Sequence, residues 1–170
     1  MTLSLAPFVD SVIAVDESSA MLSAARKRLH GVANVDIRNG RLEALPIGDG
    51  EVDVALLFLV LHYAAEPARV ISEAARVLKP GGRLLVLDMM PHDRQDLRQT
   101  MGHLWQGFAS ATLASWMEEA GLENFRYNPL APDPEAKGPS LFAASAKRRA
   151  AAARSAGRKK ADAVPLMKTA

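Results

Sequence analysis

The sequence predicts an α/β domain built on a doubly wound, mostly parallel sheet with an antiparallel hairpin at one edge. Three observations carry that expectation. Short aliphatic runs alternate with helix-periodic segments from residue 12 to residue 88, the order that builds parallel sheets with helices on both faces. The run 54–61, VALLFLVL, is apolar throughout, the pattern of a strand covered on both faces rather than half wet. Two late strand candidates, 124–127 and 140–146, are joined by a loop holding Pro129, Pro132, Pro134 and Pro139 with no helix between them, which suits an edge hairpin.

Each element has local support. Residues 3–10 read as the end of a helix. Residues 12–15 form a β-branched strand closing on Asp16, and Ser18 is a natural N-cap for a helix with Met21, Leu22, Ala25 and Leu29 apolar. Arg26, Lys27 and Arg28 suit the negative end of that helix, and Gly31 stops it. Residues 34–38 read as a second short strand, and the run 54–61 takes the central place in the sheet. Pro67 opens the next helix at the position that tolerates it, with Val70, Ile71, Ala74, Val77 and Leu78 on one face. Lys79, Pro80, Gly81 and Gly82 end it and turn the chain into a strand at 84–88. Leu113, Trp116, Met117 and Ala120 mark a further amphipathic helix stopped by Gly121. There is no internal repeat.

A length of 170 residues bounds the chain to one ordinary domain. The absence of cysteine excludes disulfides, thiolate zinc sites, a cysteine nucleophile and dithiol redox chemistry. Charge is divided: residues 147–170 hold eight Lys or Arg against Asp162, a net +7, while residues 1–146 hold thirteen basic and eighteen acidic side chains, a net −5. The domain boundary is therefore set at Ala146. The Ala/Lys/Arg-rich tail 147–170 is expected to be disordered, because it cannot bury enough surface to order itself. The overall pI of about 9.1 is an average over two unlike parts. Nucleic acid is an expected partner only through that tail, as salt-sensitive, sequence-independent binding without aromatic residues to stack on bases. No stretch approaches the roughly 20 apolar residues of a bilayer span, and no basic n-region precedes an apolar run. A cytoplasmic chain with no membrane contact is expected.

In open α/β sheets, ligands bind beyond the carboxyl ends of the strands. Asp16 stands at such an end, where a carboxylate can accept from a ribose diol; its other reading, with Glu17, is a plain acid at a helix N-terminus. The stretches VIAVDESSAML, GRLEALP, DVALLFLVLHY and LKPGGRLLVLD resemble, in the right order, four landmarks of the class I S-adenosylmethionine-dependent methyltransferases. Closest in look is the methyltransferase part fused behind winged-helix metal-responsive repressors, which shares MMPHDR and DPEAKGP. The resemblance implies a Rossmann-like sheet, S-adenosyl-L-methionine as cofactor and a methyl acceptor.

Carried over residue by residue, the resemblance gives Asp16 the ribose hydroxyls and Met21 an apolar contact beside the adenine. Arg41 stands where the family pattern carries an acid. It cannot accept from the adenine amino group, so base recognition falls on the backbone of Leu42. Leu57 and Phe58 end the central strand near the methionine portion, although Met21 and Leu57 also read as core. His62 is the candidate catalytic base, with Tyr63 beside it. His103, Trp105 and Phe108 either cover the pocket or pack on the sheet. LLFLVLHY lacks the Asn-Pro-Pro-aromatic element of amine-methylating relatives, and there are no thiolates to hold arsenic. A small-molecule acceptor is what remains, with no metal implied.

One departure from the family is large. Its signature opens with a first strand and a glycine-rich loop, whose backbone approaches the cofactor because glycine has no Cβ. No such segment precedes Val12. The sheet is expected to lack its first strand, leaving two facing rows of unpaired backbone groups. An N-terminally truncated methyltransferase, poorly stable alone and weak or inactive in cofactor binding, is the expectation, unless rearrangement or another chain closes the gap. The alternatives are a nucleic-acid-binding module acting through its tail, or a non-catalytic remnant.

Overall fold

The computed structural model describes residues 1–131, 135 and 137–150. It contains two sheets. The first begins after α1 (Thr2–Leu5) and a 3-10 turn, Ala6–Phe8, and comprises β1 (Val12–Asp16) and β2 (Val35–Asn39), joined by α2 (Ser19–Arg28). The Ser18 hydroxyl caps α2 by accepting from the Met21 N–H at 3.3 Å, and Gly31 leaves the turn at φ 83°. β1 and β2 run parallel, Val12 opposite Val35 and Asp16 opposite Asn39. The Asn34 amide fixes the entry by donating to the carbonyls of Ala6 and Val9, at 2.8 and 2.9 Å.

The second sheet carries the core. Its strands are β3 (Val52–Phe58), β4 (Leu78–Met89), β5 (Leu122–Pro129) and β6 (Leu141–Arg148), in the order β3-β4-β6-β5. β3 and β4 are parallel, while β6 is antiparallel to both β4 and β5, so the late strands form the antiparallel edge hairpin that the sequence predicts. Three helices complete the set: α3 (Pro67–Val77), α4 (Asp96–Met101) and α5 (Ser110–Glu119). Val70, Ile71, Ala74 and Val77 of α3 and Leu113 and Met117 of α5 pack with Leu84, Val86, Phe142 and Ala144 of the sheet, all buried. The mostly parallel α/β class is as predicted.

Four local expectations are corrected. The run 54–61 is not a central strand: β3 ends at Phe58, Leu59 takes φ 53°, and Leu61–Tyr63 form a 3-10 turn. β3 is an edge among the described residues, paired only to β4, so Val54 is 54% exposed. Residues 79–82 do not separate helix from strand, because β4 begins at Leu78 directly after α3 and absorbs them through a register shift between Val52 and Val54. Glycine is required there: a Cβ on Gly82 would stand 2.9 Å from the carbonyl oxygens of Asp53 and Lys79. The short α4 is additional to the predicted elements. β6 continues past Ala146 through Arg148, whose guanidinium donates to the Arg76 carbonyl at 2.8 Å and to that of Leu78. Residues 151–170 of the expected tail lie outside the described residues.

The two sheets are tied through the segment 40–51. Arg76 on α3 pairs with Glu73 at 2.6 Å, bonds Asp49, and donates to the Ile47 carbonyl at 2.9 Å; Glu73 in turn accepts the Leu45 N–H at 2.8 Å. Arg76 holds the Glu73 carboxyl below its ordinary value. No helix among the described residues is long and apolar enough to cross a membrane.

Replacing Arg76 by Met should lower unfolding free energy by about 1–2 kcal/mol, the worth of partly exposed charge-assisted bonds. Glu73's depressed pKa makes its contribution present above the ordinary carboxyl value of 4.5 and lost as pH falls below it. The gap between the wild type and Arg76→Met in denaturant melts should therefore narrow on acidification.

Candidate functional site

A cavity of about 520 Å³ opens at the carboxyl ends of β3 and β4, with Leu59, Met89 and Leu141 among its apolar walls and His62, Tyr63 and His103 among its polar ones. A larger one, about 660 Å³, is lined by Val12 and Val35. It lies at the amino ends of β1 and β2, away from where open α/β sheets take ligands.

The first cavity is organised by one carboxylate. Asp88, next to last in β4, is fully buried. Its Oδ1 accepts from His62 Nδ1 at 2.8 Å and from the Met89 N–H at 2.8 Å, and its Oδ2 accepts the Leu61 N–H at 3.1 Å. A carboxylate only accepts, so His62 carries a proton on Nδ1 and leaves Nε2 for another partner; the Nδ1 proton is assigned from the hydrogen-bond network. Nε2 has no hydrogen-bond partner among the described residues. His62 is 3% exposed, with the rings of Tyr63 and His103 centred 4.2 and 4.3 Å away.

A strap holds this arrangement. The His62 carbonyl accepts the N–H groups of Leu104 and Trp105 at 3.0 and 3.2 Å, and the Trp105 indole donates to the Ala64 carbonyl at 2.9 Å. Gly107 follows at φ 79°, where a Cβ would strike the carbonyl groups of Met90 and Met89. The Phe108 N–H then donates to the Met89 carbonyl at 2.9 Å. The three strap residues thus divide: His103 lines the cavity, Phe108 enters the core, and Trp105 sits between them at the surface. His103 Nδ1 and His92 Nε2 are buried without partners in the described structure. Burial first, and neighbouring basic groups second, lower the pKa of both imidazoles.

At the other strand end, Asp16 Oδ1 accepts the Ser18 N–H at 2.8 Å, while Oδ2 has no partner among the described residues. The Gly40 N–H donates to the Asp16 carbonyl at 3.1 Å, which brings the 40–45 loop against β1. A Cβ on Gly40 would enter the Pro46 ring. Met21 is 60% exposed, Arg41 stands 3.7 Å from Glu43, and Leu42 packs half-buried on the core. Leu57 is buried in the core, whereas Phe58, next along the strand, is 39% exposed. Asp16, Met21 and Arg41 thus gather at the end of the smaller sheet, and Leu57, Phe58 and His62 at the edge of the larger. Asp88, which organises this cavity, has no role in the sequence analysis; its signal is an acid closing an apolar strand. Among the described residues no group of His, Asp and Glu is placed to hold a metal ion.

Comparison with known proteins gives a consistent result. Residues 1–86 match the family described as "Methyltransferase domain". A ubiquinone/menaquinone biosynthesis C-methyltransferase of Pseudoalteromonas translucida is 30% identical over 148 residues, covering 70% of this chain and 59% of that protein. An arsenite methyltransferase of Halobacterium salinarum is 33% identical over 120 residues, covering 66% and 31%. The chain therefore spans less than two thirds of these relatives' lengths. In the solved complex of the Haloferax volcanii Trm112 methyltransferase activator with a methyltransferase, a chain matches with TM-score 0.74 and 17% identity, covering 86% of this chain and 76% of that one. At that identity the likeness shows the fold, and it takes in both sheets.

Because His92 and His103 have folded pKa values below the ordinary 6.5, the unfolded chain takes up protons first on acidification. Their contribution to stability is complete above 6.5 and declines as pH falls below it. Denaturant midpoints should drop between about pH 7 and 5, and less steeply in His103→Gln. Gly107→Ala should cost at least about 2 kcal/mol, from left-handed strain plus the carbonyl clash. It should also red-shift tryptophan emission as the strap lifts.

Proposed function

Because this chain belongs to the methyltransferase domain family, we propose that it is the body of a cytoplasmic S-adenosylmethionine-dependent methyltransferase acting on a small molecule. The cofactor lies across the carboxyl ends of β1 and β3, and the acceptor lies in the cavity beside His62. The observation that carries this reading is Asp16: its carboxylate ends β1 with one oxygen held by Ser18 and the other without a protein partner. That is the acceptor chemistry a ribose diol needs, so the residues present suit the cofactor's sugar.

When bound, S-adenosylmethionine supplies a methyl group on a sulfonium, a leaving group already activated. The protein's remaining work is to bind, orient and accept a proton. Met21 offers an exposed apolar face beside Asp16, the backbone of Leu42 serves the adenine, and Arg41 borders that loop without accepting from the base. Phe58 supplies a side-chain wall at the end of β3, and Leu57, whose side chain is in the core, contributes only backbone there. His62 Nε2 is the base.

The relatives' substrates enter only as candidates. An arsenite activity suits this chain poorly, since it has no cysteine thiolate to hold the metalloid. Cofactor binding also depends on the strand position between β1 and β3, whose edges are unpaired in the described structure. In the family pattern, that position carries the backbone that meets the methionine portion.

Calorimetric titration of the 170-residue chain with S-adenosylhomocysteine tests this. Weak binding, with Kd above about 100 μM, is expected, and tight one-to-one binding would overturn the dependence on the vacant strand. With a strand and glycine-rich loop supplied at that position, tight binding should appear, and Asp16→Ala should weaken it at least about tenfold. An unchanged Kd removes Asp16 from the site.

A further inference from the structure

We infer that the cavity at the ends of β3 and β4 accepts an apolar molecule bearing a weakly acidic hydroxyl, and that Asp88 is the positioning residue that keeps the His62 Nε2 lone pair available to that hydroxyl. This inference rests on the methyltransferase reading and names its acceptor class.

Among the described residues the cavity is lined by no Asp, Glu, Lys or Arg side chain. Three donors of the chain itself occupy Asp88, His62 Nδ1 and the N–H groups of Leu61 and Met89. Its charge is therefore spent on the imidazole and not offered to a ligand amine. The polar side chains lining the cavity among the described residues are His62, Tyr63, His103 and Ser140, which donate and accept hydrogen bonds without supplying a full countercharge. A ligand ammonium, carboxylate or phosphate would lose its hydration there for little return, whereas a hydroxyl gains an acceptor in Nε2. Leu59, Met89, Leu97, Met101 and Leu141 form apolar walls, and about 520 Å³ admits a body of two fused rings.

The groups around His62 agree on its role. Asp88 faces Nδ1 from β4, Tyr63 packs at a tilt from the same turn, and His103 packs from the strap; His92, on the loop after β4, adds a weaker electrostatic influence. Burial lowers the His103 pKa, which disfavours a second cation beside His62. In the reaction the hydroxyl proton moves to Nε2 as the oxygen lone pair forms the O–C bond to the methyl carbon. The C–S bond breaks with its electrons left on sulfur, and the sulfonium charge is thereby discharged. The imidazolium so formed lies against Asp88, as in other His–Asp pairs, and returns its proton to solvent. Atoms and charge balance with no further reactant.

The test uses the full chain without cofactor, so its outcome is independent of the S-adenosylhomocysteine titration. Imidazole nitrogen NMR should show His62 protonated at Nδ1 and bare at Nε2, and Asp88→Asn should shift population to the Nε2–H form. Naphthol should bind with a shift at His62 Nε2, at least about tenfold tighter than naphthoate or naphthylmethylamine, and His62→Phe should weaken it by about tenfold. The probe comparison in the wild type stands even if a variant fails to fold. An Nε2–H tautomer in the wild type overturns the inference. So do equal or tighter binding of either charged probe, naphthol binding without a His62 shift, and no binding of any probe.

Discussion

A carboxylate that sees no water must have its lone pairs answered by the protein, and the buried Asp88 imposes that condition where β4 ends. Its three donors come from its own strand and from the turn after β3. The carboxylate therefore joins the ends of two parallel strands at a point where the ladder is finishing. Further order follows from the first. With the His62 ring fixed, its carbonyl receives two N–H groups of the strap, and the strap delivers Phe108 to the core. The cavity wall and the orientation of the His62 ring share one origin, so the ring is set by Nδ1 on one side and by its carbonyl on the other before any ligand arrives.

The smaller sheet obeys a different physics. α2 buries only Leu22, while α3 buries six residues, so β1 and β2 rest on little apolar surface. What holds them to the rest is the polar clamp in which Arg76 and Glu73 capture the 40–51 segment, supported by Arg38 and Glu51 at 3.6 Å. Such bonds are directional but individually modest beside core burial. A unit attached this way opens at lower free energy than the four-stranded sheet.

The parts of the fold legible in the sequence are those with local causes. Ser18 as a cap, Pro67 as a helix start, Gly121 as a stop and the proline-rich loop between the last two strands each act over a few residues. Whether the apolar run around β3 has neighbours on both sides is not a local property, and periodicity alone assigned it a central place. Strand alternation divides Leu57 from Phe58, one turned into the core and the other to the surface, although both read alike as apolar strand-end residues. α4 has six residues, too short for a period to declare itself. The pairing of His62 with Asp88 spans 26 residues. It exists because the parallel register sets Phe58 beside Leu87, which brings the residues just beyond each within reach.

These two kinds of attachment give the candidate chemistry unequal footing. The acceptor side stands on β3, β4 and the strap, all anchored to the main core through Leu57, Val86 and Phe108. The proposed cofactor side draws on Asp16 of one sheet and Phe58 of the other, and no ladder among the described residues sets the distance between them. A pocket held by a buried carboxylate and a packed core keeps its shape when a distant edge is left open. A site divided between two sheets keeps its shape only as well as the link between them. On the proposed reading, acceptor recognition and cofactor recognition are therefore separable in this fold.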